Sequence, residues 1–350
     1  MMIGGIQQIG LGVENVESSW RWYRKYFGMD VPIFQDEAEA PLMTGYTGSK
    51  VHSRNAVLAV NLSGGSGFEI WQFTSRKTAP FSFEPQLGDL GIHIVKMKSR
   101  DIASCYAHFE KSGVELLGGL NQNPRGMYHF YLKDPNGLIF EVCEHDQWFS
   151  NRRGCTGGPF GCVIGVADME KAIPFYGDLL GYDRLLFDGT DIFEDMASVP
   201  GGEEKIRRVI MEPSTPPLGV FGAIFGKSRI ELIECKDRKP RKIFQDRYWG
   251  DAGFIHLCFD VYGMDALKET CASFGHPFTV DSGDSFDMGE AAGRFSYIED
   301  PDGTLIEFVE THRIPIVKSI GWFLNIKKRN PKVPLPDVFL KLLALGRVRD

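Results

Sequence analysis

The chain has 350 residues, 43% of them hydrophobic and 24% charged, with a formal net charge of −7; it is too long for one ordinary core and suits two or three soluble domains. The negative balance argues against a nucleic-acid surface, and with neither a basic start followed by an apolar run nor a long uninterrupted apolar stretch we expect no export signal and no membrane span. Seven cysteines without a C-x-x-C pair are cytosolic usage, so we expect a cytoplasmic protein with buried thiols, no disulfide framework and no thiolate zinc site.

Residues 6–13, IQQIGLGV, alternate as a strand and lead to Asn15, an N-cap for a helix with Val16, Trp20, Tyr23 and Phe27 on one face and Gly28 as its stop. Strand-like runs follow at 55–61 and 68–73. A second unit opens with the strand 91–97, GIHIVKM, and a helix at 102–111 stopped by Gly113, and ends on FYLKDPNGLIFEV at 130–142. Here Asp134-Pro135-Asn136-Gly137 has the order of a type I turn, with Pro setting φ at the second position and Gly closing it. The third unit has the strand 159–166, a helix capped by Asp168 and stopped by Gly181 with Met169, Ile173, Tyr176 and Leu180 on one face, and a strand at 229–235. Pro174 removes a backbone donor and should kink that helix. The fourth unit runs from the strand 253–261, GFIHLCFDV, through a helix at 264–274 to a second turn, Asp300-Pro301-Asp302-Gly303, inside FSYIEDPDGTLIEFV at 295–309.

The chain therefore reads as four copies of a βαβββ unit, at about 3–75, 88–146, 158–236 and 252–311, and the fold class is α+β. The copies also repeat in pairs. Residues 1–150 and 155–314 each hold two and are the expected domains, divided by a linker at 151–159; Arg76-Lys77 before Gly88-Asp89 in one half matches Arg238-Lys239 before Gly250-Asp251 in the other. Residues 315–350 break the pattern. From Arg313 onward nine Lys or Arg face two Asp, +7, which leaves −14 on the preceding residues. Pro336-Asp337 can open a helix rich in leucine, and we expect this basic, amphipathic arm to pack on the body or on a second subunit of a homodimer rather than on a membrane.

The last strand of every unit carries a glutamate in an apolar segment, where a carboxylate is costly unless something neutralises it. Aligning these with the middle of each first strand gives Gln8 with Glu69, His93 with Glu141, Gly161 with Glu231, and His256 with Glu307. Oxygen and imidazole donors without thiolate suit zinc, nickel, iron, manganese or cobalt. A lone histidine such as His129 or His312 is ordinarily a hydrogen-bonded or surface residue; it is the recurrence in register that carries the metal reading. Arg54, Arg125, Tyr128, His129 and Tyr131 fall on strands or turns able to line a cup.

On these repeats, on KAIPFYGDLLGY at 171–182, on the two D-P-[ND]-G turns and on the glutamate positions, the chain resembles the vicinal oxygen chelate superfamily over residues 3 to about 311. That group holds glyoxalase I, methylmalonyl-CoA epimerase, extradiol ring-cleaving dioxygenases and fosfomycin or bleomycin resistance proteins. The resemblance implies two half-barrel domains, each cup built from two units, with a divalent metal held by the first-strand and last-strand residues of both. Gln8 and Glu69 would then combine with either His93 and Glu141 or His256 and Glu307, a Gln-Glu-His-Glu set of glyoxalase I type. The other site, with Gly161 in place of a ligand beside Glu231, is expected to be degenerate. It further implies a small oxygen-chelating substrate and a lyase or isomerase that moves a proton next to a metal-bound carbonyl, with Glu69, Glu141 or Glu307 as the base. Two other classes stand beside it: a ring-cleaving dioxygenase with iron on Glu231, His256 and Glu307, which Gly161 disfavours because a second histidine is needed, and a non-catalytic binding or resistance protein. No signature of a thiol-cofactor pocket is evident.

Overall fold

The computed structural model describes residues 1–151, 154–283, 286–288, 291–317, 321–327 and 329–349. The first unit is β1 (Met2–Gly12), α1 (Val16–Phe27), β2 (Val31–Glu39), β3 (Ser53–Val60) and β4 (Gly67–Phe73), and the second is β5 (Gly91–Ser99), α2 (Ile102–Lys111), β6 (Glu115–Gln122), β7 (Tyr128–Lys133) and β8 (Ile139–Glu144). The third comprises β9 (Thr156–Gly165), α3 (Met169–Pro174), β10 (Arg184–Asp191), β11 (Ile206–Glu212), α4 (Gly222–Phe225) and β12 (Arg229–Cys235). The fourth comprises β13 (Gly253–Tyr262), α5 (Met264–Ser273), β14 (Val280–Asp281), β15 (Phe286–Met288), β16 (Ala291–Glu299) and β17 (Leu305–Val317), followed by β18 (Trp322–Asn325) and α6 (Asp337–Leu342).

Local signals act as expected. Asn15 caps α1 by accepting the Ser18 amide at 2.9 Å, and Gly28 ends it in the left-handed region at φ 61°. The α-helix of the third unit stops at Pro174, and Phe175–Leu179 continue as a π turn closed by the Leu180 amide on the Phe175 carbonyl at 3.3 Å. In both D-P-[ND]-G turns the aspartate folds back on its own loop: Asp134 Oδ1 accepts the amides of Asn136 and Leu138, and Asp300 Oδ1 those of Asp302 and Thr304. The other oxygen of each reaches the preceding unit. Tyr23 donates to Asp134 Oδ2 at 2.5 Å and Tyr176 to Asp300 Oδ2 at 2.8 Å.

Within each unit the first strand pairs parallel with the last, and between units β1 pairs antiparallel with β13 and β5 with β9. A ten-stranded sheet thus runs β14-β16-β17-β13-β1-β4-β3-β2, with β15 on β16 and β18 on β17, and an eight-stranded sheet runs β10-β11-β12-β9-β5-β8-β7-β6. Each curled half-barrel thus takes one unit from residues 1–150 and one from 155–314, first with fourth and second with third, rather than two neighbouring units. The repeated joins show why. Arg76, after β4, donates to buried Asp251 ahead of β13 at 2.6 Å, while Arg238, after β12, donates to buried Asp89 ahead of β5 at 2.5 Å. Each arginine ties the close of one unit to the opening of its distant partner.

The largest apolar core is shared by both sheets and the unit helices. Tyr23 of α1 lies 5.3 Å from Phe68 of one sheet and 5.9 Å from Phe140 of the other, and Phe140 meets Phe254 at 5.5 Å, centroid to centroid. The concave faces are left for the cups. The C-terminal arm packs on the body: Leu335 and Leu340 are buried among Val31, Val60, Val220 and Ile314, and Arg347 pairs with Asp30 at 3.3 Å. Among the described residues no helix is long and apolar enough to cross a membrane.

Candidate metal centre

The two central strands of the larger sheet bring the site together. Gln8 on β1 and His256 on β13 are neighbours across the unit boundary, and Glu69 on β4 and Glu307 on β17 flank them. His256 Nε2 lies 3.2 Å from Glu69 Oε2 and 3.1 Å from Glu307 Oε2, and the Gln8 amide reaches the same two oxygens at 3.1 and 3.3 Å. The imidazole crosses Gly10, where a Cβ would stand 2.4 Å from the ring, so that position must carry no side chain. The Tyr297 hydroxyl lies 3.4 Å from His256 Nδ1, and the Trp249 ring stacks over the imidazole at 6.5 Å.

These residues fit a divalent ion. One atom each of Glu69, His256 and Glu307 lies within 4.8 Å of the others, and first-row metals with bonds of about 2.0–2.2 Å place adjacent ligand atoms about 3 Å apart. His256 Nε2 is buried and faces the Glu69 and Glu307 carboxylate oxygens directly. A turn of the Gln8 amide about its last torsion would present oxygen in place of nitrogen. Electrostatics point the same way. Burial and the Glu69 charge hold the Glu307 carboxyl above its ordinary pKa against the pull of His256, while burial would lower His256 but the two carboxylates raise it. Two acids and an imidazole crowded this closely are relieved by a cation. Gln8, Glu69 and Glu307 border a cavity of about 550 Å³ whose walls are mainly apolar, including Phe34, Leu58, Trp71, Phe225 and Trp249, a size typical of small-molecule sites.

The family model for the Glyoxalase/Bleomycin resistance protein/Dioxygenase superfamily matches residues 5–142 and 160–308. The chain belongs to that superfamily. Its structure resembles glyoxalase I from Zea mays at 13% identity and a TM-score of 0.55, over 98% of this chain and 96% of that one. A provisionally assigned dioxygenase from Bacillus subtilis matches at 14% identity and a TM-score of 0.59, over 88% and 85%. At such identities these likenesses speak for the fold alone. Comparison with curated proteins finds no match.

The second cup of this superfamily chain is filled from within. The Lys96 ammonium lies between Glu141, which it touches, and Glu231 Oε2 at 2.7 Å. Glu141 Oε1 also faces His129 Nδ1 at 2.9 Å, His129 Nε2 faces Asp195 at 3.3 Å, and Arg208 binds Glu231 and Asp195 at 2.5 and 2.7 Å. All six side chains are buried. Lys96 and Arg208 were not foreseen; a lysine in the apolar run GIHIVKM and an arginine in IRRVIME were their visible signals.

Two expectations are corrected here. His93 does not join Glu141, because β5 shifts register against β9 between Ile92 and Ile94 and leaves His93 on a bulge. Ile94 pairs two residues before Glu141, as Gln8 does before Glu69 and Gly161 before Glu231. His93 lies instead beside Phe81, Pro85 and Lys133, where burial lowers its pKa to about 4. Nor does Glu231 share a site with His256 and Glu307, since it belongs to the other sheet. Of the remaining residues, Arg54 lines the cavity of the first cup, His129 and buried Tyr131 belong to the second, and Tyr128 and Arg125 are exposed.

Proposed function

We propose that the chain is a metal-dependent lyase or isomerase of the glyoxalase I kind, moving a proton next to a carbonyl of a small substrate that chelates through oxygen. One observation supports this above all: Gln8, Glu69, His256 and Glu307 converge on one point, from two units far apart in sequence, and three of them, Gln8, Glu69 and Glu307, line a cavity. Those four residues would hold a divalent ion, zinc, nickel, iron, manganese or cobalt, whose Lewis acidity would stabilise charge developing on the carbonyl oxygen. Glu307 would be the base, because burial strengthens its hold on a proton. Glu69 sits across the same point and completes a two-acid arrangement in which a proton can leave one face and return to another. Trp71, Trp249 and Tyr297 wall the site against bulk water. A single histidine with Gln8 opposite, rather than two histidines and one carboxylate, favours proton transfer over oxygen activation.

The test is metal content of purified protein after incubation with each of the five ions. One equivalent is expected in the wild type and in His93→Ala, with loss in His256→Ala. Protein that retains no ion, or loses it in His93→Ala while His256→Ala stays loaded, refutes the reading. Exchange of a carbon-bound substrate proton with solvent deuterium, abolished in Glu307→Gln, then tests the chemistry.

A further inference from the structure

The cavity beside the tetrad extends well beyond it. Glu307, Val309 and Thr311 alternate along β17 and all line it, so at roughly 3.3 Å per residue the wall runs about 13 Å away from the acid. Its far end is made by Phe225, Ile314 and the arm residues Leu340 and Leu343. That end belongs to a different apolar cluster from the one around the tetrad, which holds Trp71, Trp249 and Tyr297. The charges are equally one-sided. Among the described residues the lining acids are Asp36, Glu39, Glu69 and Glu307, and the lining bases are Arg54 and Arg294. Both arginines are already committed: Arg54 to Asp36 at 2.5 Å, and Arg294 to Asp265 at 2.6 Å and Asp281 at 2.9 Å. Among the described residues, an anionic tail would meet carboxylates and no uncommitted lining cation, whereas hydrocarbon would meet hydrocarbon.

We infer that the substrate carries, behind its oxygen-chelating head, an uncharged apolar tail that lies along β17, and that the C-terminal arm sets the length of tail accepted. This rests on the tetrad being the head site, as proposed above, but the tail can be tested separately. Metal-loaded and metal-free protein would be titrated calorimetrically with acetohydroxamate, hexanohydroxamate and decanohydroxamate, and with S-methylglutathione as a tail bearing carboxylates. Affinity is expected to rise about fourfold per added methylene in both forms, with the metal adding a constant factor and S-methylglutathione binding neither form. Leu343→Phe should weaken decanohydroxamate at least tenfold while sparing hexanohydroxamate, and Leu343→Ala should spare both.

A series that is flat with chain length in both forms overturns the inference, as does S-methylglutathione binding more tightly than hexanohydroxamate. If both Leu343 variants leave the series unchanged, the arm does not set tail length. Protein that takes up no metal yet keeps the increment per methylene refutes the catalytic reading and supports the tail; protein that binds metal but shows no increment does the reverse.

Discussion

Replacing Lys96 by methionine, nearly isosteric but uncharged, isolates what that ammonium does in the second cup. Glu141, Glu231 and Asp195 face Lys96, Arg208 and His129, three charges of each sign if His129 is protonated. It is protonated at neutral pH: burial would lower its pKa, but Asp195 and Glu141 raise it to about 9. The variant therefore keeps a net charge of about −1 among side chains that are 0–7% exposed, and breaking such a buried network from one side costs about 3–5 kcal/mol. That is a large share of the ~5–15 kcal/mol that holds an ordinary domain together. Urea unfolding at pH 7, followed by tryptophan fluorescence, should show this loss, and the gap to wild type should narrow toward pH 5 as the surplus carboxylate takes up a proton. A loss below about 1 kcal/mol, or a gap independent of pH, would refute the view that Lys96 is the resident cation of a charge-balanced cup.

The same cup makes wild-type stability fall in alkali. His129 has a folded pKa raised from 6.5 to about 9, so its contribution, about 3 kcal/mol by linkage, is complete below 6.5 and vanishes as pH climbs through 9; unfolding free energy flat from pH 6 to pH 10 would contradict this. Gly10→Ala places a methyl 2.4–2.7 Å from three atoms of the His256 ring. It should lower metal affinity at least tenfold with the sheet retained by circular dichroism. Tyr23→Phe removes the hydroxyl that donates to Asp134 across two units. It should cost about 1.5–3 kcal/mol in urea unfolding, and Tyr176→Phe should lose a similar amount through Asp300.

The sequence by itself determined the repeating unit, its caps and turns, and the glutamate that ends each unit, because every one of these is written within a dozen neighbouring residues. The D-P-[ND]-G turns satisfy their own amides, so they form whatever surrounds them. Tertiary structure decided which units share a sheet. First with fourth and first with second are equally compatible with the strand patterns, and the choice is visible only in long-range ties such as Arg76 to Asp251 and Arg238 to Asp89. It also decided which histidine faces the acids. Both first strands carry a bulge one residue ahead of the ligand position, and His93 is the bulged residue of β5 as Ile255 is of β13, so His256 faces the acids while Ile94 holds that place in β5. The two cups then diverge for an equally physical reason. Paired buried carboxylates demand a positive charge: in the second cup the chain supplies Lys96 and Arg208 itself, whereas in the first it sets Gln8 and His256 against its acids, with no lysine or arginine paired to them among the described residues, beside an open cavity.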